Sequence, residues 1–303
     1  MIFDIHTHTP THREAVPPAE EFWSTVNRPD RSAKTTVSWD EYDATAREAD
    51  VDVSVVFNIA TADPGRDTLL PSDPNRINDA TADFVRAAPD RRIGFLSVHP
   101  LMPAAMEELE RCVEDLGLRG IKLGPNYQNF DPLSDAAERV YAEAERRRLP
   151  ILFHQGASPI RTAPLHFAHP LTVDQIAIRH PELRIVMAHM GHPWQADTVV
   201  VIRKHPNVYA DVSALYYRPW SFFNGMRLAT EWSVLDKLLL GSDYPIITPL
   251  ETIQGLRNVN DPVRGTSIPI VPEDALEAII HRDSLSLLGL ERPRPQARDF
   301  GGQ

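Results

Sequence analysis

Short apolar runs punctuate the chain at intervals, and amphipathic stretches fill the gaps. The runs are 2–6 (IFDIH), 51–59 (VDVSVVFNI), 93–98 (IGFLSV), 120–123 (GIKL), 150–154 (PILFH), 184–189 (RIVMAH), 207–212 (NVYADV) and 237–241 (KLLLG). Each ends on or beside Gly, His, Asp, Asn or Pro. Continuous apolar runs of this length fit strands buried on both faces, as in a parallel sheet. Between them, 78–88 (NDATADFVRAA), 104–117 (AAMEELERCVEDLG) and 134–148 (SDAAERVYAEAERRR) place apolar residues at helical spacing. Ser38 precedes WDEYDATAREA with Glu41 three residues on, which predicts a helix opened by a capping box. TVDQIAIRH (172–180), QADTVVVIRKH (195–205), WSVLDKLL (232–239) and DALEAIIHRDSLSLLGL (274–290) continue the alternation, with helix and strand almost touching at 232–241.

Eight strand-then-helix units with no low-complexity linker predict an α/β fold, a (β/α)8 barrel, with 1–303 as one domain. The alternative, an open doubly wound sheet, loses ground because no GxGxxG follows the first run. The long connections 9–37, 60–77, 124–133, 155–171 and 213–228 all follow strands. In a barrel they crowd the C-terminal face, where active sites are built.

Composition narrows the function. Lys and Arg number 31 against 42 Asp and Glu, a net charge of −11, and no basic stripe offsets it. A nucleic acid or an anionic membrane is therefore not expected as partner. Cys112 is the single cysteine, which excludes an internal disulfide, a CxxC redox pair and a cysteine zinc cluster. The opening MIFDIHTHTP has neither a basic stretch nor a long apolar segment, so a cytoplasmic location is expected.

The twelve histidines change the picture most. Asp4, His6 and His8 fall at i, i+2 and i+4, so in a regular strand all three point the same way, into the barrel. An HxH alone is a weak metal signal. But His154 ends the fifth run, His189 ends the sixth and Asp243 follows the eighth, so these groups should meet at one barrel mouth. Any one of them alone reads as a hydrogen-bonded strand-end residue. Three imidazoles and a carboxylate together make an N/O donor set suited to Zn²⁺, with Mn²⁺ or Fe²⁺ as the other candidates.

The series DIHTH, ILFHQG, RIVMAHMG and LLLGSDYP, in that order, resembles the amidohydrolase superfamily. Its nearest branch is amidohydrolase family 2, TIM-barrel hydrolases and decarboxylases that include the aminocarboxymuconate-semialdehyde decarboxylase type. The resemblance implies that His6, His8, His154 and Asp243 hold one divalent metal, with His189 as acid/base and Asp243 orienting the attacking water. It ranks hydrolysis of a small carboxylated or cyclic ester, lactone or amide slightly ahead of non-oxidative decarboxylation. A catalytically silent binding barrel comes last, because crowded imidazoles and a carboxylate are costly without a cation. Aromatic-acid decarboxylases of the branch usually carry glutamate where His6 stands, which weighs against a benzoate-type substrate.

Around this core lie candidates for a small-molecule substrate. Lys122 in GIKLGP reads as a carboxylated metal bridge, as a cation for a substrate carboxylate, or as a structural salt-bridge partner. Arg161 and Arg218, with Arg13, Arg28 and Arg31, read as carboxylate anchors or as solvated surface residues. His192 and Trp194 read as pocket lining or as caps of the following helix. The stretch SALYYRPWSFF (213–223), with Tyr217, reads equally as an apolar pocket wall and as a homodimer contact. Trp23 carries the same two readings. Asp211 reads first as a strand-end hydrogen-bonding residue and second as a group orienting a ligand imidazole.

Overall fold

A computed structural model of the chain describes residues 1–10, 34, 36–60 and 74–293. Arg13, Trp23, Arg28 and Arg31, and most of the predicted connections 9–37 and 60–77, lie outside them. The strands are β1 (Phe3–His8), β2 (Val53–Phe57), β3 (Arg92–Gly94), β4 (Ile121–Leu123), β5 (Ile151–Phe153), β6 (Ile185–Met187), β7 (Val208–Asp211) and β8 (Leu238–Leu239). Neighbours pair in parallel from β1 to β3 and from β4 to β8. Two bridges close the ring, Leu96 with Ile121 and Thr7 with Tyr244. At the second seam Ile5 N donates to Leu240 O (3.1 Å) and His8 N to Tyr244 O (2.7 Å). The result is the (β/α)8 barrel that the apolar rhythm predicts.

Alternation along the strands divides the core in two. Val55, Phe57, Leu152, Val186 and Leu239 pack inside the ring, while Ile121, Leu123, Ile151, Phe153 and Ile185 face the helices. Lys122 pairs in register with Leu152, so this ammonium shares the interior parity.

Three expectations need correction. The register of β1 slips between Asp4 and Thr7, so the period-two argument fails for Asp4. Its carboxylate accepts instead from Ser242 N (2.9 Å) and Ser242 Oγ (2.6 Å). Residues 213–228 are not all loop, because Pro219–Glu231 is a helix that buries Phe222, Phe223, Met226 and Ala229, spaced for one helical face. WSVLDKLL is not a helix: Leu235–Lys237 make a 3₁₀ turn that runs directly into β8. A further helix, Pro249–Arg257, follows Thr248, whose hydroxyl and Glu251 form a full capping box. At Ser38 the hydroxyl accepts from Glu41 N. Among the described residues no helix is long and apolar enough to cross a membrane.

Candidate active site

The polar groups that end the strands gather at one mouth. His6 and His8 come from β1, His154 follows β5, His189 follows β6, Asp211 ends β7 and Asp243 lies beyond β8. Asp243 Oδ1 lies 3.2 Å from His6 Nε2 and 3.1 Å from His8 Nε2. One ligand atom from each of His6, His8 and Asp243 falls within a 4.8 Å cluster. The Asp243 backbone is tied to β1 by its N–H to His6 O at 2.8 Å. His189 sits beside this group, its ring centroid 5.0 Å from His6 and 5.1 Å from His154. Both His189 (φ 57°) and Asp243 (φ 70°) adopt the left-handed backbone, an uncommon conformation for non-glycine residues that collects at functional sites.

Burial and neighbours set the charges. Burial raises Asp243, but hydrogen bonds with His6 and His8 outweigh it and hold the carboxyl well below its ordinary value. Burial presses His154 well down, helped by the His189 and Lys122 charges. It brings His189 to about 4, and it lowers His8 despite Asp243. His6 moves the other way: burial and Lys122 lower it, but Asp211 and Asp243 raise it further. Neutral His8 and His154 beside an ionised Asp243 are in the protonation states a divalent cation requires of its donors, and His6 would yield its proton to such a cation.

The residues fit such a cation. The decisive observation is His154, whose Nε2 is buried with no hydrogen-bonding partner among the described residues, a cost that a bound cation would relieve. The donor set is three nitrogens and a carboxylate. Two first contacts among the donors, His6 and His8 on Asp243, are already drawn together. His154 adjoins this trio through His189 rather than lying inside the 4.8 Å cluster.

The sequence profile of the Amidohydro_2 family, described as amidohydrolase, matches residues 3–290. The chain belongs to this family. Family members are typically metal-dependent enzymes. Among curated relatives, gamma-resorcylate decarboxylase of Rhodococcus jostii (strain RHA1) is 28% identical over 175 residues, 46% of this chain and 51% of that enzyme. The chain thus spans about half the length of that relative. The enzyme of the same name from Rhizobium sp. (strain MTP-10005) is 23% identical over 64% of this chain and 69% of its own. The fold is shared with an uncharacterized TIM-barrel protein from Bordetella bronchiseptica (TM-score 0.70, 21% identity, 95% of this chain and 98% of that one). It is also shared with 5-carboxyvanillate decarboxylase from Sphingomonas paucimobilis (TM-score 0.64, 18% identity, 96% and 99%).

Within this family frame the remaining candidates separate. Lys122 is 1% exposed, its Nζ 4.7 Å from the Phe57 ring centroid. No carboxylate lies in salt-bridge range among the described residues, so the structural salt-bridge reading fails. Burial lowers its pKa to about 8 against the pull of Asp243 and Asp211. His192 accepts at Nδ1 from Gln195 Nε2 (2.8 Å) on the loop after β6. Trp194 takes the cap position before the helix Gln195–Lys204 and packs on His169 (4.8 Å). Arg161 is exposed on the loop after β5. Arg218 lies 4.5 Å over the Tyr217 ring, on the segment leading into Pro219–Glu231.

Three residues gain roles the sequence reading did not give them, and a fourth, Asp211, takes its second reading rather than its first. Asp211, first read as a strand-end residue, sets Oδ2 2.8 Å from His6 Nδ1. Ser213 Oγ stands 2.7 Å from His189 Nδ1. The Tyr127 ring lies 4.4 Å from His154. Asn126 buries its whole side-chain amide without a partner among the described residues. Asn126 and Tyr127 follow GIKLG closely, and that placement at a strand end was the only available signal.

Proposed function

We propose that this chain is a metal-dependent, non-oxidative decarboxylase of a small aromatic or unsaturated carboxylic acid. Lys122 carries the reading: an ammonium buried in the bowl beside the donor cluster, with no carboxylate in salt-bridge range among the described residues, asks for an anionic partner. Two curated relatives named gamma-resorcylate decarboxylase support the reaction class and reverse the order of preference drawn from the sequence, which placed hydrolysis first.

His6, His8, His154 and Asp243 would hold one cation, for which we propose Zn²⁺ ahead of Mn²⁺ and Fe²⁺. When bound, it supplies positive charge that orients and polarises substrate oxygens. Lys122 pairs with the substrate carboxylate or an adjacent oxyanion. His189 first takes a proton from solvent at Nε2, and gives that proton to the carbon that bears the carboxylate. The carbon–carbon bond then breaks, its electron pair returns to the π system, and carbon dioxide leaves. The balance is one carboxylate and one proton in, one C–H bond and one carbon dioxide out, and solvent restores the proton to His189. Burial of the imidazole and the carboxylate partner excludes water from that transfer.

The test is a panel of hydroxybenzoates, unsaturated acids, lactones and amides offered to protein loaded separately with Zn²⁺, Mn²⁺ or Fe²⁺. Carbon dioxide released in step with substrate loss is expected. A new carboxyl group formed from a lactone or amide without carbon dioxide would restore the hydrolase.

A further inference from the structure

The end of β7 carries a hydrogen-bond arrangement that the proposed reaction has not used. Asp211 is wholly buried, and every group around it is a donor. Oδ1 accepts from His189 N (2.9 Å), Ser213 N (3.1 Å) and Ser213 Oγ (2.5 Å). Oδ2 lies 2.8 Å from His6 Nδ1. Two of these neighbours are backbone N–H groups that can only donate, so Oδ1 is an acceptor.

From these contacts we infer that Asp211 and Ser213 fix His189 in one tautomer, with the proton on Nδ1 and the lone pair of Nε2 turned to the site. The logic is a proton count. A hydroxyl has one proton, and Ser213 directs it to Asp211 Oδ1. Ser213 Oγ, 2.7 Å from His189 Nδ1, is therefore left to accept, and the ring must supply the hydrogen. Ser213 O, 3.3 Å from the same nitrogen, can only accept as well. At His6 the same rule holds for one nitrogen: Nδ1 faces Asp211 Oδ2 and must carry a proton, which leaves Nε2, on the Asp243 side, as the nitrogen a cation would take.

One carboxylate thus orients two imidazoles. It acts on the proposed ligand His6 directly and on the proposed acid/base His189 through Ser213. Both Asp211 and Ser213 are positioning residues. When His189 gains a second proton, at Nε2, the charge is spread onto a hydroxyl already polarised by a carboxylate. The inference concerns tautomers of the protein alone and stands whether the reaction is decarboxylation or hydrolysis.

The experiment uses the full chain, labelled with ¹⁵N-histidine and loaded with zinc, and reads ring nitrogens by long-range ¹H–¹⁵N correlation. His189 is assigned by the signals lost in His189→Gln. The wild-type spectrum should show His189 protonated at Nδ1. Ser213→Ala removes one oxygen and adds no bulk, and it should give a mixture of tautomers with zinc content unchanged. With an active substrate in hand, kcat should fall about ten- to a hundredfold while KM stays within about twofold. Asp211→Asn should disturb the His189 and His6 tautomers together and weaken zinc retention. A His189 tautomer unchanged in Ser213→Ala overturns the proposal. So does a loss of kcat that tracks zinc loss and recovers with added zinc. If no substrate in the panel reacts, the proposed function fails while the spectra still decide this inference.

Discussion

At the scale of single residues, Lys122 opposes stability and function most directly. An ammonium in a low-dielectric interior with no carboxylate in salt-bridge range among the described residues destabilises the fold, yet it is where an anionic substrate would bind. Lys122→Met keeps the length of the side chain and removes the charge. It should raise KM for a carboxylate substrate roughly ten- to a hundredfold, the worth of one charged hydrogen bond, and leave metal content intact. It should also raise the melting midpoint. Because burial holds Lys122 at about 8 rather than 10.5, the unfolded chain binds more protons between those values, and stability rises with pH there. The gain from Lys122→Met is therefore largest below about 8 and fades toward 10.5, which denaturant midpoints across that range will check. A lower midpoint at every pH would assign Lys122 to packing instead. His154→Ala and His189→Ala form the complementary pair. Metal analysis should find metal and turnover both lost in the first. In the second, metal should be largely kept and turnover lost, and equal loss of metal would make His189 a ligand. His6, His8, His154, His189 and Asp243 were legible in the sequence because each ends an apolar run or follows one within two residues. Asp211 and Ser213 matter through partners on β1 and β6, contacts that no local pattern encodes.

Among the elements, the approach of β8 to its two neighbours sets the geometry of the donors. Gly241 lies where β8 meets both β1 and β7. A Cβ there would fall 2.8 Å from the Cβ of His6 and 3.3 Å from that of Asp211, so one of these residues would have to shift. Gly241→Ala should weaken metal binding about ten- to a hundredfold, as loss of an orienting partner does, with only a small change in secondary structure by circular dichroism. Unchanged affinity in a metal titration would show that the strand end yields without moving His6. The strands themselves were readable because burial on both faces leaves continuous apolar runs. The slip in β1 was not, since a bulge is fixed by pairing with β2 rather than by the FDIHTH sequence. Pro249–Arg257 was missed although Thr248, Pro249 and Glu251 spell its start, because PLETIQGLR is short and carries a glycine near its end. Pro219–Glu231 was hidden by its proline and by the aromatic residues that drew attention to the preceding loop.

For the whole molecule, the barrel is held unevenly around its ring, and the proposed cation spans the weaker side. β8 is two residues long. Its seam with β1 rests on a few backbone bonds: Ile5 N to Leu240 O, Asp243 N to His6 O and His8 N to Tyr244 O. This seam joins the first strand to the last, the contact with the longest loop to close. His6 and His8 stand on one side of it and Asp243 on the other, so a cation held by all three ties the ends of the chain together. A ligand that binds only the folded state adds about 2.7 kcal/mol at a free concentration a hundred times its Kd. For a chain of this size that corresponds to roughly 4 °C in melting midpoint. Chelation should lower the midpoint by about that amount, and added Zn²⁺ should restore it. The effect should also be local. Hydrogen exchange in the metal-free protein should quicken in β1 and around 238–244 more than in β5 and β6, where each strand pairs along its length with two neighbours. A midpoint indifferent to chelator, or exchange that quickens evenly around the ring, would mean that the donors do not bridge the seam through a shared ion.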